Sequence, residues 1–510
     1  MNIKNIKRFL LITMFSTITA VGFCSSYYNV KDYGAKGDGV NLDSKAINKA
    51  IEKAAEQGGG TVYIPGGKYL SGSIRLKSHI SLFIDQGATI IAAPVTAEND
   101  YNQEEESIST KYQDSGHSHW KNSLIWAYDM EDISIVGSGL IDGKNLYADW
   151  VKGSTMNANK AISMYRCKNV TIRDISILHG GWFAILATGV DNFTLDNVKM
   201  DTNRDGVDID CCKNVHVSNC YVNSPYDDGI CLKSTFALGY ARSTENVTIN
   251  GCMVSGYDEG TFLDGTYKRT KNAKYGTQPT GRIKLGTESN GGFKNVTISN
   301  CVFDYCRGLA LETVDGALLE DVTISNITMR DIVNDPIFMR IGERMRGPKG
   351  VAVGKLHRIK VNNVMVYNAN SSYTCTLSGT PGNDIEDVEL SNITMYYGGG
   401  SSTTDVFKDI PEVEKNYPEP GMFGPIPAYG LFVRHAKNIR IENFELYTIN
   451  PDKRPAFLFD DVKGANFKFV KAQKERESSS VVLKDCSSIS FFESLGITNH
   501  LVENSGKKEL

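Results

Sequence analysis

A short segment recurs along most of this 510-residue chain, and its spacing limits the folds that the chain can adopt. Clear copies read KNVTIRDISIL from residue 168, DNFTLDNVKM from 191 and KNVHVSNCYV from 213, and others begin at 245, 294, 320, 386 and 437. Each copy alternates apolar and polar residues around an Asn-containing bend, which is typical of two short β-strands. The first two steps, 168 to 191 and 191 to 213, are 23 and 22 residues long. Such a period is one coil of a parallel β-helix.

The longer later steps predict loops inserted at the turns between strands. Hairpin signals with two-residue turns, which a β-sandwich would need, are missing from the sequence. We therefore predict an all-β, right-handed parallel β-helix. The same place in three copies holds Cys220, Cys252 and Cys301, which we interpret as stacked inward-facing small residues rather than as a disulfide framework. The recurring asparagines predict an internal amide ladder at positions 219, 250, 300, 326, 363 and 392.

The flanking segments predict a leader and two caps. A basic start and a short apolar run ending in Ala20-Val21-Gly22 predict a signal peptide over residues 1–22, with a lipid anchor on Cys24 as the alternative. Residues 23–92 are predicted to form an N-terminal cap, with a helix over 43–57, and the first coils, and residues 93–470 to form the β-helix catalytic domain. Residues 471–510 form the C-terminal cap and tail. The leader predicts a secreted or periplasmic protein.

Bulk composition argues against several classes of partner. The net charge is −4, so no bulk electrostatic attraction to nucleic acid or to an anionic membrane is expected. No second apolar run approaches 18 residues, so no membrane span is predicted. The cysteines and histidines lack zinc spacing, and we predict no cofactor and no metal. A capped solenoid is expected to be a monomer.

The repeat brings acidic residues from separate coils together. NRDGVD and YDDGI lie 23 residues apart, so Asp205 and Asp228 occupy equivalent positions, with Asp227 next in sequence. Neighbouring strands are about 4.8 Å apart, so the two equivalent carboxylates are expected one rung apart on one face. We place Trp182 in the same column one coil earlier and Glu259 one coil later. An aromatic ring beside a row of acids suits a sugar.

A cluster of carboxylates is compatible with several functions. Glycoside hydrolysis needs a protonated acid and an ionised carboxylate, and crowding raises the pKa of one member of such a group. A calcium site and an inert solvated ridge are the alternatives that the residues alone leave open.

Four stretches resemble the polygalacturonase-like glycoside hydrolases of family 28. The N-terminal YYNVKDYGAKGDGVNLDSKAINKAI with GGGTVYIPGGKYLSG is similar to the start shared by pectin-degrading β-helix proteins. NRDGVDID resembles the family's Asn-Thr-Asp-Gly motif, YDDGICLKS its Asp-Asp motif, and LGTESNGG a Gly-rich stretch that follows its histidine motif. The likeness covers roughly residues 27 to 450.

The resemblance implies inverting hydrolysis of a uronic-acid-containing polysaccharide or oligosaccharide. By motif position Asp227 would be the general acid, and Asp205 and Asp228 would activate water. Asn203 would hold substrate or orient the acids. Further substrate-binding candidates come from the residues themselves: Lys233 on the coil of the acid pair, Arg282 and Arg307 on later coils, and His179 one coil before Asp205.

The chain departs from the family pattern at two places. It has no histidine between His216 and His357, and Glu259 or Thr280 could take that position. The family's Arg-Ile-Lys aligns with Ala310-Leu311-Glu312, which would not hold galacturonate in the same way. We therefore expect a rhamnogalacturonan, a substituted galacturonan or a terminal sugar as substrate. The insertions at 265–281 and 396–428 are expected to close one end of the cleft and favour exo action.

Two other functions fit the same fold. A polysaccharide lyase would use a basic side chain and calcium, but the sequence places no Arg or Lys beside the acids as a clear base. A non-enzymatic adhesin or carbohydrate-binding stalk would not need the acids at all.

Overall fold

The computed structural model describes residues 27–96, 98–106, 111–113, 115–147, 159–270, 278–476 and 478–510. The predicted leader and Cys24 lie outside these residues. Parallel strands pair from coil to coil in three stacks, which confirms the predicted parallel β-helix. We call them the site sheet, the second sheet and the third sheet.

The site sheet carries the candidate functional residues. Its strands are Ile74–Arg75, Ile125–Tyr128, Lys160–Tyr165, Phe183–Thr188, Asp205–Asp210, Ile230–Ser234, Ile283–Ser289, Leu309–Thr313, Ile337–Ile341, Cys375–Ser378 and Val481–Lys484, joined by the first parts of Leu431–Asn450 and Phe457–Lys468.

The second sheet contains the recurring segments. Its separate strands are Tyr27–Asn29, Gly60–Ile64, Ile80–Ile84, Glu131–Val136, Lys168–Arg173, Asp191–Asp196, Lys213–Ser218, Thr244–Asn250, Phe293–Ser299 and Ser487–Phe492. The third sheet has short strands at Asp38–Leu42, Gly67–Ser71, Ala88–Ala92, Leu140–Asp142, Ser176–Leu178, Lys199–Asp201, Tyr221–Asn223, Met253–Ser255, Val302–Asp304 and Lys471–Ala472.

In the later coils the second and third sheets merge, because single bent strands run through both. These strands are Leu318–Arg330, Lys355–Ala369, Ile385–Gly399 and Leu431–Asn450. The bends hold Asn or Asp residues at positive φ, such as Asn326 at 56° and Asn363 at 55°. Asn tolerates this left-handed conformation better than most residues, which explains its recurrence in the repeat.

The asparagines do form a ladder, but on the outside of the molecule. Asn326 donates to Asn300 at 3.0 Å and Asn363 donates to Asn326 at 2.8 Å, and these side chains are exposed. The expectation of an internal ladder was therefore wrong, because the left-handed bend turns the amide outward. The interior is instead filled by stacked apolar side chains such as Phe193, Val215 and Val247.

The cysteines also lie in the interior. The ten cysteines of the described residues are buried and free, so none of these forms a disulfide. Two of the equivalent cysteines show how these thiols are placed. The Cys220 thiol lies within hydrogen-bond distance of the Ser218 carbonyl, and the Cys301 thiol within hydrogen-bond distance of the Ser299 carbonyl. They act as small apolar residues with a weak donor.

The two ends of the solenoid are closed differently. The helix Ser44–Glu56 buries Ile47, Ala50, Ile51 and Ala54 against the first coils. Parallel pairing continues past residue 470 to Phe492, and the antiparallel strands His500–Asn504 and Lys507–Glu509 then cover the last edge. Short 3₁₀ helices occur at Val30–Tyr33, Ser115–His117 and Pro420–Phe423. Within the described residues, every helix is too short or too polar to cross a membrane.

Candidate active site

Asp205 and Asp228 lie on neighbouring coils, each just before or at the start of a strand of the site sheet. Val207 pairs with Ile230, and the Gly206 amide donates to the Asp228 carbonyl at 3.0 Å. A side chain at position 206 could not be accommodated, because its Cβ would lie 2.4 Å from the Gly229 carbonyl oxygen. The paired Asp-Gly steps in the sequence therefore reflect two coils in very close contact.

The three acids that the sequence singled out meet in one cluster. One carboxylate oxygen from each of Asp205, Asp227 and Asp228 lies within 4.8 Å of the other two. Asp205 and Asp228 are 3% exposed, whereas the Asp227 side chain is 27% exposed. Asp227 is therefore the member that a ligand reaches first.

Asp228 is held as a carboxylate by two cations from the next coil. Arg282 Nε donates to Asp228 Oδ1 at 2.8 Å, and Lys284 Nζ lies 3.4 Å from Oδ2. Burial alone would raise the pKa of Asp228, but Lys284 and Arg282 outweigh it and hold the pKa well below its usual value. Asp228 is therefore ionised.

Asp205 has the opposite electrostatic environment. Burial, together with the charges of Asp208 and Asp227, raises its pKa well above the usual value, although Lys233 opposes the shift. Its Oδ1 is buried and has no hydrogen-bond partner within the described residues. Asp205 is thus the carboxyl of the cluster that retains a proton most readily.

A network behind the acids fixes Asp208 and Lys233. Asp208 Oδ2 lies 2.9 Å from His117 Nε2 and 3.6 Å from Lys233 Nζ, and Lys233 donates to Glu288 at 3.1 Å. Burial lowers the pKa of Lys233, but Asp208 and its neighbours reverse this and raise it well above normal. Lys233 therefore keeps its positive charge next to Asp205.

Arg204 links the exposed acid to an aromatic side chain. Its guanidinium donates to Asp227 Oδ2 and lies 5.1 Å from the centre of the Trp182 ring. The Arg204 side chain is 13% exposed, so the contact is largely shielded from solvent. Arg204 thereby orients Asp227 at the mouth of the site.

The acids line a cavity of about 330 Å³. Its walls are formed by Gly116, His117, Trp182, Phe183, Arg204, Asp205, Asp227, Asp228, Lys233, Glu288, Arg344, Arg346 and Tyr417. This volume is near the lower end of the range, roughly 300–1,000 Å³, of small-molecule sites. The space is a pocket rather than a long open groove.

The segment between strands at 400–428 closes one side of the pocket. Glu419 accepts hydrogen bonds from Arg282 at 2.5 Å and from Arg307 at 2.8 Å. The Tyr417 hydroxyl lies 3.2 Å from Lys284 Nζ. The segment therefore crosses the site sheet one to two coils beyond Asp228, as expected for the insertion at 396–428.

The other insertion lies elsewhere. The part of 257–270 that leads into it packs on the third sheet, where Phe262 stacks on Tyr221 and Arg269 pairs with Asp304. The expectation that this insertion closes the cleft is not met by its described residues. Residues 271–277 lie outside the described part of the chain.

Two column assignments were wrong. Ile230 pairs with Ile283, so the residue that follows Asp228 in the column, one coil later, is Gly281. Glu259 is not in this column, because it lies in the segment that leaves the coil before residue 281. Asp205 pairs with Phe183, so Trp182 is level with Arg204. Glu259 was misplaced because loop residues were counted as if they continued the repeat. Trp182 was misplaced by one residue because the 23-residue step between Val207 and Ile230 was applied where Phe183 and Asp205 are 22 residues apart. Trp182 nevertheless lines the pocket.

The remaining predicted binding residues divide into two groups. Arg282 and Arg307 meet at Glu419, beside the pocket. Asn203 instead donates to Glu259 at 3.4 Å, and His179 Nδ1 lies 2.9 Å from Asp142 Oδ1, which accepts. Asn203, Glu259 and His179 do not contribute to the wall of the pocket.

The statement that no Arg or Lys lies beside the acids was also wrong. Arg282 and Lys284 alternate on one strand and both point at Asp228. Lys284 pairs with Ala310 on the next coil. Glu312 is fully buried there, and burial raises its pKa to about 7 despite the nearby Lys284.

Sequence reasoning missed a second group of pocket residues. Arg344 and Arg346 both bind Glu288, at 3.4 Å and 2.5 Å. Asp208 and Glu288 could have been noticed, since they follow the recognised motifs NRDG and LGT. His117 and the two arginines come from irregular segments, where no periodic signal locates a side chain.

The acid cluster also has the spacing of a possible metal site. However, Asp227 and Asp228 already accept hydrogen bonds from Arg204 and Arg282. A divalent cation would have to displace these guanidinium groups, and it would be repelled by Lys284 and Lys233.

The fold and the site together define a parallel β-helix protein with a carboxylate pocket on one sheet. Comparisons with known proteins agree with this class. A family described as "Rhamnogalacturonase A/epimerase, pectate lyase-like" matches residues 27–181, and one described as "Right handed beta helix region" matches residues 118–267.

Relatives extend the likeness over most of the chain. A probable polygalacturonase from Vitis vinifera is 23% identical over 397 residues, which cover 72% of this chain and 73% of the relative. The solved family 28 exopolygalacturonase of Yersinia enterocolitica aligns with a TM-score of 0.62 and 17% identity, covering 86% of this chain and 78% of that one. The exopolygalacturonase of Thermotoga maritima aligns with a TM-score of 0.55 and 19% identity, covering 95% of both chains. The chain is thus similar in sequence to polygalacturonases, as its motifs predicted, and shares the right-handed parallel β-helix fold with two of them.

Proposed function

We propose that the protein is an O-glycosyl hydrolase that removes sugar residues from the end of a pectin-type chain, either a galacturonan or a rhamnogalacturonan. The observation that carries the proposal is a closed pocket in which one buried carboxyl holds a proton and its neighbour is ionised. Hydrolysis of a glycosidic bond needs these two states at once. The leader predicted over residues 1–22 would export the enzyme towards such a polysaccharide.

The three acids have distinct proposed roles. Asp227 is the most accessible and donates a proton to the glycosidic oxygen. Asp228, which is ionised, accepts a proton from the attacking water. Asp205 holds the shared proton in the free protein. On ligand binding this proton passes to Asp227, which donates it, and Asp205 is left ionised to help Asp228 position the water.

The stereochemical outcome follows from where the water enters. The closest oxygens of the cluster are within 4.8 Å, whereas an inverting pair is usually about 6.5–9.5 Å apart. We propose inversion, with water admitted between Asp227 and the deeper pair as the leaving group departs. Proton NMR during the first turnovers would report the anomer, and a product that keeps the configuration of the substrate would contradict inversion.

The substrate class is supported by the charge of the pocket wall. Arg204, Lys233, Arg344 and Arg346 line the same cavity as the acids. Guanidinium groups bind carboxylates through paired hydrogen bonds, so a uronate entering the pocket could exchange with Glu288 on Arg344 and Arg346. These arginines would take the place of the missing family pair.

The proposed exo action is supported by closure at both sides. Gly116 and His117 stand against Phe183 on one side, and Tyr417 and Glu419 cross the sheet on the other. A chain end fits such a pocket, whereas the middle of a polymer does not. Time courses on oligogalacturonides should yield the terminal product from the first time points, and an early ladder of intermediate sizes would rule out purely exo action.

The decisive variant is Asp227→Asn, tested on galacturonan and rhamnogalacturonan oligosaccharides. We expect turnover to fall by roughly 10²–10⁴-fold while the melting temperature hardly changes, because general acid catalysis is lost but the fold is retained. The matched control is Asp409→Asn, since the Asp409 side chain is 98% exposed. Full activity of Asp227→Asn would contradict the role of Asp227 as the general acid. Absence of hydrolysis by the natural protein on both substrates would sink the hydrolase proposal and favour a non-enzymatic carbohydrate-binding protein.

A lyase on the same fold is the alternative, because Lys233, Arg282 and Lys284 stand beside the acids. A lyase forms unsaturated products that absorb near the ultraviolet edge and is expected to lose activity with a chelator. The hydrolase proposal expects saturated products and no effect of the chelator.

A further inference from the structure

A second and larger cavity lies on the same face of the solenoid, beyond the segment that closes the acid pocket. Its volume is about 620 Å³. Its lining shares no residue with the acid pocket. Glu419, paired with Arg282 and Arg307, stands between the two. The hydrolysis proposed above makes no use of this cavity.

The register of the strands fixes its distance from the acids. Leu309 pairs with Ile337, which puts Asp335 in the column of Asp228 and Arg307. Asp335 is three coils beyond Asp228, or roughly 14 Å at about 4.8 Å per coil. This is too far for both groups to contact one sugar ring.

Two buried polar atoms in the wall lack partners. Asp335 is 2% exposed and Thr374 is 1% exposed. Within the described residues, Asp335 Oδ2 and Thr374 Oγ1 have no hydrogen-bond partner. Leaving such groups unsatisfied costs about 1–3 kcal/mol each, so a ligand that supplies the missing bonds would be favoured.

The rest of the wall is rich in hydroxyl groups, and its further charged side chains are Arg454 and the exposed Lys408. Hydroxyl side chains come from Ser371, Ser372, Thr374, Thr376, Ser401 and Thr403. Arg454 also lines the cavity, but it is neutralised by Asp452 at 2.8 Å and donates to the Ser371 carbonyl. A hydroxyl-lined wall of this kind matches the alternating donors and acceptors of a sugar.

We propose that this cavity is a second carbohydrate-binding site, which takes a neutral sugar unit and is separate from the acid pocket. A uronate would bring its carboxylate close to Glu419, whose pKa Arg282 and Arg307 hold low against the effect of burial, and is disfavoured. Burial raises the pKa of Asp335 well above its usual value, so its carboxyl can donate a hydrogen bond to a sugar hydroxyl. A chain that carries neutral sugars could thus be held here while its end is processed elsewhere.

The test measures binding rather than hydrolysis, so its failure is distinct from failure of the proposed function. The full chain carrying Asp227→Asn is titrated with D-galactose, L-rhamnose, L-arabinose and D-galacturonic acid, followed by ligand-observed NMR. We expect at least one neutral sugar to bind with a millimolar dissociation constant and more tightly than galacturonate at this site.

Two further variants locate the site. Thr374→Val removes one hydroxyl without changing shape and should weaken binding about 5- to 10-fold. Gly421→Leu should abolish it, because a Cβ there meets only the Tyr373 hydroxyl at 3.9 Å and the added side chain has room to fill the cavity. Thr297→Val, an exposed position on the second sheet, is the matched control and should change nothing.

In the background without Asp227→Asn, Thr374→Val should leave turnover of a short oligosaccharide unchanged. The proposal is overturned if no neutral sugar binds, if galacturonate alone binds in the cavity, or if Gly421→Leu leaves neutral-sugar binding intact. Melting temperatures of both variants verify that any loss reflects the cavity rather than unfolding.

Discussion

The pKa values of Asp205 and Asp228 are shifted in opposite directions because different charged side chains surround the two carboxyls. Asp228 contacts Arg282 and Lys284, whereas Asp205 lies between Asp208 and Asp227. Both are equally buried, so burial does not separate them. The charges from the adjacent coil decide which carboxyl is ionised.

Glu312 provides a prediction about pH and stability. Its folded pKa of about 7 exceeds the usual 4.5, so its protonated form favours folding below pH 4.5 and this contribution is lost as the pH rises to 7. The Glu312→Gln side chain cannot ionise. The free energy of unfolding of this variant, relative to that of the natural protein, should therefore rise by on the order of 2 kcal/mol between pH 5 and pH 8.

Urea unfolding at both pH values measures this difference. The control is Glu52→Gln, at an exposed position of the capping helix. Its free energy of unfolding relative to the natural protein should not change between the two pH values. An unchanged difference between Glu312→Gln and the natural protein across this range would mean that Glu312 is ionised throughout.

The strands of the second sheet alternate inward apolar residues with outward polar residues. Ile298 is fully buried in the stack between Ile249 and Ile324, and Thr297 beside it is exposed. The coil is therefore held by its inward side chains rather than by its outward ones.

Truncation of an inward residue should therefore be costly. Ile298→Ala is expected to lower the free energy of unfolding by about 2–5 kcal/mol, because it leaves a cavity between two coils. Thr297→Ala, one residue away, should stay within about 0.5 kcal/mol. Denaturant midpoints of the two variants check this, and similar losses would mean that the stack is not the main source of stability.

At the scale of the whole molecule, the segment at 400–428 divides the face of the site sheet into two cavities. Glu419 is its main attachment, through Arg282 and Arg307. The solenoid by itself would present a continuous groove along this face. The division is a property of one long loop and not of the repeat.

Weakening this attachment should change the product pattern. Glu419→Gln removes the charge that binds the two arginines, so products of intermediate size should appear in digests of long oligosaccharides. Lys415→Gln, exposed on the same loop, should keep the natural pattern. Chromatography of early time points distinguishes the two, and an unchanged pattern in Glu419→Gln would show that this attachment does not control access.

The repeat alone determined the solenoid, the pairing of Asp205 with Asp228 and the position of Asp227 beside them. It could do so because each coil must place its apolar residues inward, which fixes the register of every strand that follows the pattern. Glu259 was misplaced where a loop interrupts that pattern, Trp182 where the step between coils shortens by one residue, and the Asn ladder was placed on the wrong side of the sheet.

Only the tertiary structure decided what surrounds the acids. His117, Arg344, Tyr417 and Glu419 arrive from segments without periodicity, over separations of up to 137 residues between Arg282 and Glu419. No local rule fixes where such a loop settles, because its position depends on charges and shapes that the finished coils create. The same dependence explains why the second cavity around Asp335 had no signal in the sequence.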